Sequence, residues 1–550
     1  MPGLNVIIGN KDLPLPDDFS RTVLQRCLYT PDYNTEIHSL FENFWIAIVK
    51  YEEYPVRQFS DSRYDYFFEG RMFDLSEMQE EQRIREISST IHGNQVREDQ
   101  LNALINSVDS EFFLCIVDRI ARQWMLIGDS LSRLPVYDYH DENWTLYIRD
   151  LVLKQVLIPA EPDPQGVAET IYFGYPLSDR TIYRHTSRLK PAFYILGNAR
   201  ERSNGTWKRH NFEDYRDERN PRAVAAEAGE LFLHACYTRL RPYKERVLSL
   251  SGGLDSRVIG SALNTLKLPF RISSYLDPWN HAQREIKVAK SLATVWGKKL
   301  EVIYTKGSTE ELSDKLIKMK AGMNSIGMSF ILDFFTRISC PEMVYITGDG
   351  GDKLLPDITW DMQGKNVPQV ATFILKKHTV IAREIAAKAS RVGPKKMHDS
   401  LVELLEEYPE KSLRGKYSRF VFMGRGVKWL FEGEDRNRCF FPSITPYYST
   451  SLFGYLMAIH PVVKRNYQLY RYFISIVSPE TIRLENANWN FSIDKTRQLK
   501  FLLFKQRVKY ALPGWVRNFV EKGNHQEFDS IIGTLAMVFP DRFNPDTFRP

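Results

Sequence analysis

Between residues 223 and 347 short apolar runs alternate with longer segments whose apolar residues recur at helical spacing, and no other feature of the chain constrains its fold as tightly. Residues 223–240 read as a helix, 246–250 as a buried strand, and 256–266 as a helix with Val258, Ile259, Ala262, Leu263 and Leu266 on one face. The alternation continues through a strand at 270–276, a helix at 282–296 closed by Gly297, a strand at 300–305, a helix at 310–319 and a strand at 343–347. Strands separated by helices cannot be joined by tight hairpins. They pair in parallel, and the pattern predicts a doubly wound α/β sheet whose ligands lie beyond the carboxyl ends of its strands. Beyond about residue 368 the pattern is mostly helical.

The first 200 residues read differently. Runs at 45–49, 64–68, 112–118, 124–127, 136–139 and 145–148 are rich in β-branched and aromatic residues, which predicts antiparallel sheets with a few helices, one of them at 79–91. A polar stretch at 201–222, with Gly205 and Pro221, reads as a linker between an α+β domain at 1–200 and the α/β domain at 223–550. A chain of 550 residues is also longer than one core usually fills. Its 74 Lys+Arg against 68 Asp+Glu leave a net charge of +6, a balance too even to point to nucleic acid. Cys27, Cys115, Cys236, Cys340 and Cys439 are scattered without CxxC spacing, which argues against a disulfide framework or a zinc site. No basic segment followed by an apolar core opens the chain, and no apolar run reaches the roughly 18 residues a membrane helix needs, so a cytoplasmic protein with no membrane partner is expected.

Two loops carry chemistry. Ser249-Leu250-Ser251-Gly252-Gly253-Leu254-Asp255-Ser256-Arg257 joins a buried strand to a helix start. Adjacent glycines let backbone N–H groups approach an anion, Ser251 and Ser256 add hydroxyl donors, and the helix offers its positive end, so the loop reads as a pyrophosphate cradle. Asp255 suits such a cradle when it binds a Mg²⁺ that bridges phosphate oxygens. The alternative is a tight turn using glycine for geometry alone, which requires neither the acid nor both serines. Thr347-Gly348-Asp349-Gly350-Gly351-Asp352-Lys353 also follows a predicted strand of that sheet. Its two carboxylates, three apart, suit one metal ligand and one group aimed at a reacting amine or water.

The pair SGGLDS and GDGGDK resembles the asparagine synthetase family, whose synthetase domain is a PP-loop ATP pyrophosphatase (adenine nucleotide alpha hydrolase-like) and whose second motif is typically GEGSDE. The resemblance implies ATP and Mg²⁺ as cofactors and an AMP-forming ligase. A carboxylate attacks ATP to give an acyl-adenylate and pyrophosphate, and an amine then displaces AMP to form an amide. By position it implies that Ser251, Gly252, Gly253, Asp255 and Ser256 bind pyrophosphate, with Leu254 in the same loop. Ser249, Leu250, Tyr275 and Gly348 would lie along the AMP, and Asp255 and Asp352 would hold Mg²⁺. Asp349 falls where the family has a glutamate that handles the nucleophile's proton, one methylene longer, and Lys353 replaces the motif's final acid. The implied partner is a small-molecule or peptide carboxylate. The amine is ammonia or belongs to the substrate itself, as in peptide-cyclising and lactam-forming relatives, and a homodimer is left open.

The first half is similar to the family's class II glutaminase domain, an Ntn-hydrolase fold. Phe68-Glu69-Gly70-Arg71-Met72-Phe73-Asp74 matches the NGEIYN segment, and 113–137, with Asp118, Asp129 and Leu134-Pro135-Val136-Tyr137, the paired-strand stretch after it. An Ntn glutaminase needs a cysteine as first mature residue so that the free α-amine serves as base. Here Pro2 stands at position 2, the nearest thiol is Cys27, and Glu69 replaces the asparagine of the substrate loop, so a degenerate domain without glutaminase activity is expected. Residues 478–491 resemble the stretch that carries the family's charge-neutralising lysine, but Asn486, Ala487 and Asn488 stand there, and Lys464 and Lys495 are the substitutes the sequence offers.

Other features read more plainly. Lys376, Lys377, Arg383, Lys388, Arg391, Lys395 and Lys396 suggest one amphipathic helix with a solvated basic face rather than a nucleic-acid grip. The aromatic runs at 440–448 and 467–472 suit core packing before pocket lining. Two rivals have other signatures. A PP-loop RNA-modifying enzyme would show a clustered basic groove and reactive cysteines, and a non-catalytic scaffold would have let Ser251, Asp255 and Ser256 decay.

Overall fold

Strand Ser110–Asp118 is buried along its whole length, and its alternate side chains face two different cores: Phe113, Cys115 and Val117 one way, Phe112, Leu114 and Ile116 the other. Such a strand reads as a continuous apolar run because neither face meets water. The computed structural model describes residues 1–10, 14–27, 29–30, 32–198, 201–216, 220–278, 282–511 and 525–543. Two six-stranded antiparallel sheets build the first half. One runs in the order Thr186–Arg188, Tyr137–His140, Trp144–Ile148, Gly3–Gly9, Phe44–Lys50, Asn34–Phe41; the other Arg202–Thr206, Phe193–Asn198, Gln123–Gly128, Ser110–Asp118, Tyr64–Met72, Val56–Ser60. Val6, Ile46 and Leu146 of the first sheet share a core with Phe67, Cys115 and Leu126 of the second. The second sheet's other face is covered by helices Glu77–Ser88 and Glu98–Asn106 through Ile84, Ile87, Leu101 and Ile105. The first of these helices stops at Ser88, short of the predicted 91, and Ile91 belongs to a small hairpin with Val96.

The span 201–222 is more than a connector. Arg202–Thr206 is an edge strand paired with Phe193–Asn198, and Trp207 and Phe212 are buried; residues 217–219 lie outside the described ones. The polar, glycine-containing run hid the strand because an edge strand with exposed side chains needs little apolar content.

The second half holds a five-stranded, wholly parallel sheet, β1 (Glu245–Ser249), β2 (Arg271–Leu276), β3 (Leu300–Tyr304), β4 (Met343–Ile346) and β5 (Ser443–Ile444), in the order β3-β2-β1-β4-β5. From β1 the chain winds outward through β2 and β3, then returns to place β4 on the other side of β1. The order therefore reverses between β1 and β4, which makes their carboxyl ends the switch point where such sheets open a crevice. From Val367 onward the described chain is mostly helical. The basic tract is three helices rather than the single one its periodicity suggested, Val367–His378, Arg383–Ser390 and Pro394–Glu407. Arg391, at φ 58°, ends the second, and Pro394 starts the third. No described helix is long and apolar enough to cross a membrane.

The two halves meet across buried charge. Arg149 bonds Glu69 (2.9 Å) and Asp435 (2.5 Å), Arg239 bonds Asp109 (2.7 Å) and Glu111 (2.5 Å), and Arg188 bonds Glu432 (3.0 Å). Arg438 reaches Glu111 (3.0 Å) and Arg133 pairs with Glu434, while Lys320, from the second half itself, also reaches Asp435 (2.7 Å).

Candidate functional site at the switch point of the parallel sheet

β1 ends at Ser249, and the chain is clamped to β2 as it leaves the sheet: Leu250 N–H donates to the Ser273 carbonyl (3.0 Å) and the Ser274 hydroxyl to the Leu250 carbonyl. The next turn is organised by hydroxyls. Ser251 N–H donates to Ser256 Oγ (3.2 Å), Gly253 N–H to Ser251 Oγ (3.2 Å), and the two hydroxyl oxygens lie 3.1 Å apart. Helix Asp255–Thr265 then begins, with Asp255 in its first turn. Gly252 is required by crowding, since a Cβ there would lie 2.5 Å from Ala487 Cβ and 3.1 Å from Glu285 Cα. Gly253 is open, and a Cβ would meet only Ser251 Oγ, at 3.1 Å. Leu250 and Leu254 are buried in the core, so only their backbone could face a ligand. Beside Gly252, at the tips of β2 and β3, a cleft of about 650 Å³ is lined by Leu276, Gln283, Lys287, Tyr304 and Glu485.

The second loop lies against the first. Leu248 of β1 pairs with Ile346 of β4, and after Thr347 the chain passes so close that a Cβ on Gly348 would lie 2.8 Å from Ser256 N and 3.0 Å from Asp255 Cβ. Gly350, at φ 112°, turns beneath Tyr447 and Tyr448, and Asp349 is fixed through its carbonyl, which accepts from Thr445 Oγ1 (2.7 Å). Asp255, Asp349 and Asp352 are thereby gathered around Lys353, whose ammonium pairs with the exposed Asp352. Burial, reinforced by Asp352, pushes the Asp255 carboxyl up to about 8 against the opposing pull of the Tyr470 hydroxyl that donates to it. Asp349 is raised for the same two reasons, with Arg133, Lys353 and Arg436 opposing. Burial and mutual repulsion keep these carboxylates hard to ionise, a condition a divalent cation relieves. Among the described residues no three His, Cys, Asp or Glu converge as a ready metal cage. Two carboxylates, Asp255 and Asp352, would supply the protein's share of a Mg²⁺ shell completed by phosphate and water.

The structure brings Ser249, Leu250, Ser251, Gly252, Gly253, Leu254, Asp255, Ser256, Gly348, Asp349 and Asp352 to one end of adjacent strands. Tyr275 sits at the tip of the neighbouring β2, packed at a tilt against Phe330 (5.2 Å) and edge-on against Phe334 (5.6 Å). Lys464 and Lys495 do not join the constellation: the Lys464 ammonium is buried against the Leu456 carbonyl (2.7 Å), and Lys495 is on the surface. Four contributors escaped the sequence reading. Tyr470 and Tyr447 bond the Asp255 side chain and carbonyl, the latter at 3.1 Å. Arg257 ties Gly253 O (3.2 Å) to the carbonyls of Thr481, Leu484 and Glu485, and Arg436 lies near Asp349 and Tyr275. The tyrosines left a trace as part of aromatic runs assigned to the core, and Arg257 as the last residue of the first loop, with no role assigned; Arg436 left none.

No protein-family model matches the chain, and no curated protein matches it. Among solved structures it is similar to the glutamine phosphoribosylpyrophosphate amidotransferase from B. subtilis complexed with ADP and GMP, at 9% identity over 64% of this chain and 76% of that chain, with a TM-score of 0.25. It is also similar to an allosteric regulatory enzyme of purine biosynthesis, at 8% identity over 75% of this chain and 93% of that one, with a TM-score of 0.26. Likeness at that level carries no argument about fold or chemistry.

Proposed function

We propose that the chain is an ATP- and Mg²⁺-dependent, AMP-forming amide ligase of the asparagine synthetase kind, with a PP-loop synthetase half and a glutaminase-like half that hydrolyses no glutamine. The observation that supports this reading is the contact of the two loops: Gly348 abuts Ser256 N and Asp255 Cβ, so the proposed anion cradle and the loop carrying Asp349 and Asp352 lie side by side. The backbone N–H groups near Gly253 and the start of helix Asp255–Thr265 would bind the polyphosphate. Asp255 and Asp352 would hold Mg²⁺, which when bound offsets the charge of the phosphate oxygens. In the first step a carboxylate oxygen of the acid bonds to the α-phosphorus, the bond to the bridging oxygen breaks, and pyrophosphate leaves with that electron pair. In the second the amine nitrogen bonds to the acyl carbon, AMP departs, and Asp349 accepts the nitrogen's proton. Burial and Asp352 raise the Asp349 pKa, which makes its carboxylate a stronger proton acceptor than a solvated one.

The first half supports the loss of glutaminase chemistry. Glu69, where the family's substrate loop has asparagine, is fully buried and engaged by Leu4 N (2.9 Å), Tyr54 Oη (2.5 Å) and Arg149 Nε (2.9 Å), so its carboxylate is committed to the protein's own donors. The test is a pyrophosphate-release screen with ATP, Mg²⁺, and aspartate, other acids or peptides, each with ammonium, glutamine or no added amine. Release is expected with one acid class and lost in Asp352→Asn; Asp349→Ala should keep pyrophosphate release and lose the amide. Silence across all acids, or glutamate formed from glutamine, would contradict the reading.

A further inference from the structure

Five charged side chains are buried between residues 432 and 438, and four of them are paired. Glu432 meets Arg188 (3.0 Å) and Lys320 (2.9 Å), Glu434 meets Arg133, Asp435 meets Arg149 (2.5 Å) and Lys320 (2.7 Å), and Arg438 meets Glu111 (3.0 Å). Arg436 is the exception. It is 6% exposed and makes no ion pair among the described residues. One terminal nitrogen donates to Asn437 Oδ1 (3.0 Å), and Nε has no hydrogen-bond partner. While its neighbours pair with Arg133, Arg149, Arg188 and Glu111 of the first half, its guanidinium lies over the Phe335 ring (5.8 Å), which packs on Tyr345 of β4 (5.3 Å), within electrostatic reach of Tyr275 of β2 and of Asp349 in the loop that follows β4.

A guanidinium buried without a counter-charge is costly, and tyrosine hydroxyls do not neutralise it. The adjacent carboxylate, Asp349, makes no ion pair with it and is held with its own pKa raised. An anionic ligand entering this crevice would meet three carboxylates, and Lys353 is already engaged by Asp352. Arg436 is a buried cation at this end of the sheet that makes no ion pair among the described residues and whose Nε is unpartnered.

We propose that Arg436 is the carboxylate-holding group of the site: it takes the carboxylate of the acid substrate through its planar fork, on the Asp349 side of the phosphate cradle. The placement of the cradle rests on the ligase reading above. A single guanidinium matches one carboxylate, bidentately, and its flat geometry rather than its charge alone sets the fit. The neutralising cation that Lys464 and Lys495 do not supply would then come from the helix that also joins the two halves.

The test uses the full chain in thermal-shift and calorimetric titrations with acetate, β-alanine, L-aspartate, L-glutamate and benzoate, and separately with AMP. At least one of the acids is expected to bind the wild type. Arg436→Gln should weaken that acid at least tenfold with its AMP response unchanged, and Arg436→Lys should recover part of the affinity. Acid binding equal to wild type in Arg436→Gln, or no binding of any acid to the wild type, overturns the assignment. Should Arg436→Gln lose its AMP response as well, Arg436→Lys decides: weakened acid binding with a normal AMP response supports the proposal, and unchanged acid binding overturns it. Acid binding through Arg436 in a protein that ignores every nucleotide would uphold this site and remove the ligase reading.

Discussion

Asp255 is a carboxylate kept where it is uncomfortable. Burial and Asp352 raise it to about 8 from an ordinary 3.8, so between about pH 4 and pH 8 the folded protein holds a proton that the unfolded chain releases. Stability contributed at this residue is therefore greatest at low pH and declines as pH rises through that window. Without ligand, the melting temperature is expected to fall from pH 5 to pH 8 more steeply than in Asp255→Asn, and the variant should be the more stable by about 1–3 kcal/mol at pH 8. A variant no more stable than wild type at pH 8 would contradict this charge balance. The identity of Asp255 was legible in the sequence because Gly, Ser and Asp in one strand–helix turn have few structural reasons to coincide. Tyr470 was not, because it reaches Asp255 from 215 residues further along the chain. Arg436 was hidden in a charged run, three acids followed by two arginines, where only the pattern of pairing singles it out.

At the scale of elements, helix Asp255–Thr265 is stapled to the turn after residue 478. Arg257 donates to the carbonyls of Thr481 (3.1 Å), Leu484 (3.0 Å) and Glu485 (2.7 Å), and Ala487 N–H donates to Gly252 O (3.0 Å). Arg257→Met is expected to cost about 2–4 kcal/mol, since several buried carbonyls lose their donor together. In hydrogen exchange, protection should fall at 251–254 and 481–488 as one unit; loss in only one of them would show that the staple does not couple them. The parallel sheet was readable because its apolar strands and amphipathic helices obey distinct periods. The edge strand Arg202–Thr206 was not, because its side chains are exposed and polar. The basic tract kept a helical period across two breaks set by local backbone, at 379–382 and at 391–393, which periodicity does not report.

At the scale of the whole molecule, the interface between the halves is a lattice of buried ion pairs. Burial alone would raise the Glu111 carboxyl, but Arg133, Arg239 and Arg438 overcome it and hold it down to about 2; Asp435 is likewise lowered, with Arg149 and Lys320 outweighing its burial. Carboxylates lowered on folding contribute stability above their unfolded pKa and lose it as pH falls through the folded value, so the interface should loosen between about pH 4.5 and pH 2. Asp435→Asn leaves two cations short of a partner and is expected to cost about 3–5 kcal/mol. Calorimetry should then show the two halves melting apart, where the wild type melts as a more cooperative unit; an unchanged thermogram would mean that apolar contacts alone join them. No local pattern announced this lattice, because each partner lies far from the other in sequence.

The direct measurement is calorimetric titration of the full chain with a non-hydrolysable ATP analogue, with and without Mg²⁺. Binding should require Mg²⁺, fall at least tenfold in Asp255→Asn, and leave the fold of that variant intact. Metal-independent binding of equal strength in wild type and Asp255→Asn would place the nucleotide elsewhere and contradict the account.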